Sequence, residues 1–336
     1  MATYKDIQRQ TGLSLSTISK YFNGRNLLDD NRAAIDEAVR ALDFRPNGFA
    51  QNLRSRRSQT VGVLLPALDN EFHLTIIAGV EEALRRRGMS VIVASSPTSD
   101  DGAVDLLLSR MVDGIIAVAP DHDRAALRAA AERVPVVLVD WAHDDLDLDG
   151  VFLDNVAAGA MAARHLLNHG HRRIAVVGGD PAVSSMRLRL RGFQREIDQE
   201  PGARVEVRSG PLTSEFGQRA TAQLLAVRPR PTAIFASNYE LTVGSLIAIN
   251  ESGLRLGRDV SLLGFDSIEL SQLTVPKLTI VTQPTRAIAA RAAKLIYRRI
   301  SHPEREDLHT ELLEPELRSG GSVARLDPDD DATPHA

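Results

Sequence analysis

No cysteine occurs among the 336 residues. Thiolate nucleophiles, iron–sulfur clusters and Cys-ligated zinc are therefore excluded, and folding needs no oxidising compartment. Aromatic residues make up only 4%, with a single Trp, and lysine is scarce beside arginine (Lys5, Lys20, Lys277 and Lys294). No stretch approaches the roughly eighteen uninterrupted apolar residues of a membrane span, and Met1-Ala2-Thr3-Tyr4-Lys5-Asp6 lacks an apolar signal core. A soluble, cytoplasmic protein without a membrane partner is expected. Its chemistry must rest on oxygen, imidazole and guanidinium groups.

With 43% hydrophobic and 25% charged residues, the composition is that of a globular chain of two or three folded units. The net charge of −4 conceals a division: residues 1–60 carry +4 and the remainder −8. A basic head on an acidic body suits a nucleic-acid-binding module joined to something else.

In the head, Thr3 with Asp6 forms a capping-box-like start to a helix that Thr11-Gly12 ends. Ser14 can cap a second helix, with Leu13 and Ile18 placed as a hydrophobic staple. At about 100° per residue, Ile18, Tyr21 and Phe22 share one face, and Ser16, Ser19, Lys20 and Asn23 the opposite one. A third helix opens near Asp29 or Asp30, buries Ile35, Ala38, Val39 and Leu42, and stops before Pro46. Two readings fit: an ordinary three-helix bundle with a solvated face, or a helix-turn-helix unit. In the second, Leu15, Ser16 and Lys20 approach base edges in the major groove, while Ser14, Thr17, Ser19 and Asn23 are placed for phosphates. The segment 47–57 is too short to be helical alone and fits a basic tether or a linker that orders on binding.

From Val61 onward, short apolar runs alternate with amphipathic helices. Strands are expected at 61–65, 90–94, 114–119, 135–140, 151–154, 173–177, 204–208, 233–236, 261–265 and 279–282. Helices are expected at about 72–87, 103–111, 123–132, 156–169, 186–199, 214–227, 239–252 and 285–300. Such βα alternation predicts parallel sheets covered on both faces, and ten strands predict two lobes with a cleft. Ligands of such sheets sit beyond the strands' carboxyl ends. Phe72, His73, Trp141, Asp154, Asn155, Asn238, Tyr239 and Asp266 fall there, and Arg189 comes from the helix after Gly178-Gly179. An aromatic group with Arg, Asp and Asn is the inventory of a polyhydroxylated-ligand site. Because buried charge needs a partner, Arg189 and Asp266 are expected to face one another across the cleft.

Thr11-Gly12-Leu13-Ser14-Leu15-Ser16-Thr17-Ile18-Ser19-Lys20-Tyr21-Phe22-Asn23-Gly24, followed by Phe44-Arg45-Pro46-Asn47, closely resembles the A-G-V-S-x-x-T-V-S-R-x-L-N-G and Y-x-P-N pattern of the LacI/GalR family of bacterial transcription regulators. The resemblance continues in Val134-Pro135-Val136-Val137-Leu138-Val139-Asp140, Gly170-His171-Arg172-Arg173-Ile174-Ala175, Arg187-Leu188-Arg189-Leu190-Arg191-Gly192-Phe193 and Val260-Ser261-Leu262-Leu263-Gly264-Phe265-Asp266. It implies an α/β chain: an all-α helix-turn-helix head (1–46), a hinge (47–59), and a two-lobed periplasmic-binding-protein-like effector domain of two doubly wound parallel sheets (60–320). The N-lobe would comprise about 60–155 and 286–315, the C-lobe about 156–285 and 316–320, with a disordered acidic tail at 321–336. The resemblance assigns base reading to Leu15, Ser16 and Lys20, and a minor-groove wedge to Leu53 with backbone contacts from Arg54, Arg56 and Arg57. It likewise implies a pseudo-palindromic DNA operator, a homodimer, and a small-molecule effector contacting Phe72, His73, Trp141, Arg189, Asn238 and Asp266. The aromatics with Asp, Asn and Arg favour a carbohydrate, a sugar or sugar phosphate, and Trp141 with Phe72 could also stack a nucleobase. Lys20 stands where Arg is usual, so a bidentate fork is lost. Ser267 and Tyr239 replace acids common in the family, which leaves the ligand open.

Other chemistries find little support. Gly178-Gly179-Asp180 is not a dinucleotide fingerprint, and no G-x-S-x-G elbow is present. His165, His169 and His171 resemble a metal cluster but lack nearby carboxylates, and read better as helix-end histidines facing the dipole. Asp144, Asp145, Asp147 and Asp149 lack the glycine and terminal Glu of a calcium loop. No catalytic residue, metal or cofactor is expected. A sugar-binding receptor of the periplasmic type would share the two lobes but has no use for residues 1–57, so an effector-switched repressor is the favoured reading.

Overall fold

The computed structural model describes residues 2–22, 26–44, 57–68, 71–98, 102–118, 120–141, 146–266, 268–304 and 307–326. The chain forms two units, 1–58 and 59–336.

In the first unit, α1 (Tyr4–Thr11), α2 (Leu15–Phe22) and α3 (Asp29–Ala41) close around Ile7, Ile18, Ile35, Ala38 and Phe44. Both the amide and the hydroxyl of Thr3 donate to the Asp6 carboxylate at 2.8 Å, which fixes the start of α1. Gly12 ends α1 at φ 70°, a left-handed cap that glycine adopts without a Cβ penalty. Ser14 Oγ then accepts the Thr17 amide at 3.2 Å and opens α2. The bulky Tyr21-Phe22 pair is absorbed by an aromatic cluster: Phe22 stacks on Tyr4 at 5.0 Å and meets Phe44 at 5.3 Å.

The second unit contains two six-stranded sheets. The N-lobe sheet has the order β11-β5-β4-β3-β1-β2, from β1 (Thr60–Leu65), β2 (Ser90–Ser95), β3 (Gly114–Ala117), β4 (Val136–Val139), β5 (Asp149–Leu153) and β11 (Thr310–Leu313). The C-lobe sheet has the order β12-β10-β9-β8-β6-β7, from β6 (Arg173–Gly179), β7 (Arg204–Gly210), β8 (Ala233–Ala236), β9 (Ser261–Phe265), β10 (Thr279–Thr282) and β12 (Glu316–Arg318). All pairings are parallel except β10 with β12. The inner strands, β1 and β9 among them, are buried on both faces, as continuous apolar runs require.

N-lobe helices are α4 (Glu71–Arg85), α5 (Ala103–Ser109) and α6 (Arg124–Ala131). The C-lobe has α7 (Asn155–Asn168), α8 (Ser184–Ile197), α9 (Ser214–Ala226), α10 (Tyr239–Glu251) and the short α11 (Ile268–Leu273). The last helix, α12 (Thr285–Ser301), returns to the N-lobe and buries Ile288, Ala292 and Ile296 against it. Its Arg299 forms a buried ion pair with Asp149 on β5. Among the described residues twelve strands thus replace the ten expected, with β11 and β12 completing one edge of each sheet.

One boundary needs correction. The expected disordered tail from 321 begins too early, because Gly321–Leu326 are integrated into the C-lobe. Ser322 Oγ donates to Leu262 O at 2.6 Å and accepts the Thr279 amide at 2.8 Å, Val323 is buried, and the Leu326 amide donates to His169 O at 2.8 Å. The acidic run 327–331 lies outside the described residues.

Candidate effector site and nucleic-acid interface

Arg189 is the hub of the body. It projects from the second turn of α8, is 1% exposed, and lies where α7 and α8 pack unusually closely. Gly159 and Gly192 permit that approach: a Cβ on Gly159 would sit 1.8 Å from Arg189 O, and one on Gly192 2.0 Å from Val156 O. The guanidinium donates through Nε and Nη2 to Asn155 Oδ1 at 3.2 and 2.7 Å and through Nη1 to Ser237 O. Its carbon lies 3.4 Å from the centroid of the Phe265 ring, a cation–π stack. Burial lowers its pKa to about 10, opposed by Asp266 and Asp140, so it remains charged at neutral pH.

Asp266 follows β9 with φ 60°, and its carboxylate accepts Gln283 Nε2 at 2.8 Å and the Gln283 amide at 3.3 Å. Asp140 follows β4 with φ 65° and is hydrogen-bonded by the Trp141 side chain. Burial raises both carboxyls to about 6, and Arg189 works against the rise in each. The expected pairing of Arg189 with Asp266 across the cleft is therefore corrected. Asp266 belongs to the same lobe as Arg189, and the acid of the other lobe whose charge acts on Arg189 is Asp140. A cation acted on by two carboxylates, one of them hydrogen-bonded by an indole, can orient a ligand rich in hydroxyl donors and acceptors.

The other expected residues are spread around this centre. Phe72 and His73 open α4; their rings are 5.8 Å apart, and His73 Nδ1 lies 3.1 Å from Ala67 O. Phe72 and Trp141 pack on the same apolar cluster of the N-lobe. Asp154 and Asn238 serve as helix caps: Asp154 accepts the Ala157 amide at 2.8 Å, and Asn238 Oδ1 the Leu241 amide at 2.9 Å. Sequence reasoning placed Asn155 beyond its strand end beside Asp154, but did not single out Gln283 or Asp140. Gln283 also stands just past a strand end, where the rule that found Asp266 applies. Asp140 was absorbed into its strand and revealed only by its positive φ.

The histidines also differ from expectation. His165 and His171 are held to about 4, chiefly by burial, so both are neutral at neutral pH and give the helix dipole no cation. The His165 and His169 rings are 4.2 Å apart, and His171 Nδ1 lies 2.9 Å from Thr232 Oγ1.

On α2, Ser14, Leu15, Ser16 and Lys20 are exposed, and Thr17 and Ser19 half-buried. Leu15 is 40% exposed although apolar, while Ser14 Oγ lies 2.8 Å from both Ser16 Oγ and Thr17 Oγ1. This polar face, opposite the buried Ile18, is suited to a duplex groove. Arg57 is described ahead of β1, whereas Asn23, Leu53, Arg54 and Arg56, like Asp144, Asp145 and Ser267, lie outside the described residues.

A helix-turn-helix head joined to two doubly wound lobes with a charged centre defines a ligand-responsive DNA-binding protein. Residues 163–323 match the family model of a periplasmic binding protein-like domain. The ribose operon repressor of Haemophilus influenzae is 30% identical, over 94% of this chain and 96% of its own. The chain belongs to the LacI/GalR family of transcription regulators. The HTH-type transcriptional repressor PurR of Mannheimia succiniciproducens is 28% identical over 97% of this chain and all of its own. The lac repressor dimer bound to operator and the anti-inducer ONPF superposes with a TM-score of 0.86 at 26% identity, covering 96% of this chain and 99% of the other.

Proposed function

We propose that the protein is a homodimeric repressor whose affinity for a pseudo-palindromic operator is switched by a carbohydrate bound between the two lobes of each subunit. The observation that carries this reading is Arg189, fully buried and acted on by Asp266 of its own lobe and Asp140 of the other. A ligand held by these groups engages both lobes, so closure of the cleft is linked to occupancy. Differential affinity for the closed and open forms is what lets a ligand bias DNA binding.

Leu15, Ser16 and Lys20 read bases, Ser14, Thr17, Ser19 and Asn23 hold phosphates, and Leu53 with Arg54, Arg56 and Arg57 engages the minor groove. Trp141 and Phe72 stack on the ligand, while Arg189, Asp266, His73, Asp154 and Asn238 supply its polar contacts. The role is regulatory rather than catalytic, as it is for the repressors this chain is similar to. Among the described residues no helix is long and apolar enough to cross a membrane, and a repressor acts where the DNA is, in the cytoplasm. A thermal-shift screen of unphosphorylated and phosphorylated sugars, followed by operator titration with each hit, tests the reading. A sugar that raises the melting temperature and changes operator affinity is the expected result.

A further inference from the structure

The outer side of α8 carries a cationic row that the effector site does not use. Arg187, Arg191 and Arg195 recur at every fourth residue and are exposed. Arg191 stands about 200° around the helix from the buried Arg189. Like charges at this spacing repel. The acids near them are already engaged: Glu196 pairs with Arg164 at 3.0 Å, Asp198 accepts Gln194 Nε2 at 2.6 Å, and Glu200 pairs with Arg172 at 2.6 Å. Among the described residues neither Arg191 nor Arg195 has an ion-pair partner. Both line a groove of about 580 Å³ together with Val156, Gln194, Asp198 and Gln199.

The chain brings an occupant to the same end of the lobe. Leu326 is tied to His169 O just past α7, and Arg172, three residues beyond His169, reaches Glu200 beyond the end of α8. The next residues are Asp327-Pro328-Asp329-Asp330-Asp331, four acids in five positions. Extended, these five span up to about 17 Å. The rise from Asp198 to Arg191 along α8 is about 10 Å. The segment thus opposes the row in charge and starts at the end of the lobe where α8 finishes.

We propose that Asp327–Asp331 of this chain docks along the Arg191–Arg195 face of α8, neutralising the cationic row and keeping it from holding DNA. For a DNA-binding protein the consequence is useful. An exposed arginine row on the body adds sequence-independent attraction to phosphates, and an intramolecular anion competes with it.

Because the chain lacks cysteine, docking can be read with one introduced pair, Gln199→Cys with Asp330→Cys, in the full-length protein. Mild oxidation should give a disulfide that migrates as monomer on a denaturing gel. It should form about tenfold more slowly when Arg191→Gln and Arg195→Gln are added, or in about 0.5 M salt, where charges are screened within a few ångströms. Equal rates in the two arginine backgrounds, no cross-link, or only cross-linked dimers would overturn intramolecular docking. Independently, changing the four aspartates of 327–331 to Asn should raise affinity for a random duplex about three- to tenfold at low salt. The gain should vanish with Arg191→Gln and Arg195→Gln; a gain that persists there, or none at all, overturns the masking role.

Discussion

Asp140 and Asp266 occupy equivalent places in the two lobes. Each follows the third of four adjacent parallel strands that run in the same order, β1-β3-β4-β5 in one sheet and β6-β8-β9-β10 in the other. Each has a positive φ, and each carboxyl is raised to about 6 by burial. Arg189 interacts with both, so one guanidinium joins the corresponding corners of a duplicated architecture. A non-glycine residue at positive φ costs of order 1 kcal/mol or more, which the surrounding contacts must offset.

The raised carboxyls set a pH dependence. Their folded values of about 6 lie above the ordinary 3.8, so the folded state binds protons more tightly than the unfolded chain between these limits. The stabilisation is complete below about pH 4 and is lost as pH rises through 6. Stability of the ligand-free protein attributable to this pair should therefore fall between about pH 4 and 6. Asp140→Asn with Asp266→Asn should flatten that part of the melting-temperature profile.

Arg189→Lys keeps the charge but removes the fork that joins Asn155 and Ser237. Effector affinity by calorimetry should fall at least about tenfold, or 1.4 kcal/mol. Operator affinity without effector should stay unchanged.

Gly159→Ala tests the packing beneath the site. The added methyl would meet the backbone oxygen of Arg189 at 1.8 Å, so α7 and α8 must separate. A loss of about 3 kcal/mol in denaturant unfolding is expected, since overpacking a tight interface costs this much. Gly202→Ala, where nothing lies within 4 Å but φ is 80°, should cost less.

Lys20→Ala should reduce binding to the specific operator about ten- to a hundredfold while leaving effector affinity intact. Leu53→Ala should also weaken operator binding and reduce bending, measured by fluorescence transfer between the ends of the duplex. Unchanged bending would remove Leu53 from the minor groove.

Much of this was legible in the sequence, for physical reasons. Strands buried on both faces announce themselves as apolar runs, and Ala233–Ala236, Ser261–Phe265 and Thr279–Thr282 match the expected limits. Ser14 and Gly12 mark the helix-turn-helix punctuation because their chemistry is local. The edge strands Thr310–Leu313 and Glu316–Arg318 escaped, being three or four residues long and half exposed, with no periodicity distinct from a loop. Gly321–Leu326 looked like the start of a tail because its anchoring depends on Ser322, whose buried hydroxyl gains meaning only beside Leu262 and Thr279. Arg189, Asp266 and Trp141 were found from their positions after strands. Which acid faces Arg189 from the other lobe is a tertiary fact, and the sequence order of β4 and β9 does not contain it.

A ligand bound at Arg189 should change operator affinity. The most direct measurement is fluorescence anisotropy of the operator upstream of the protein's own gene, titrated with wild-type and Arg189→Lys protein, with and without the sugar found by thermal shift. Equal operator affinity is expected for the two proteins without sugar, and a sugar-dependent shift in the wild type alone. An equal shift in both, or no operator binding by the wild type under any condition, would contradict this.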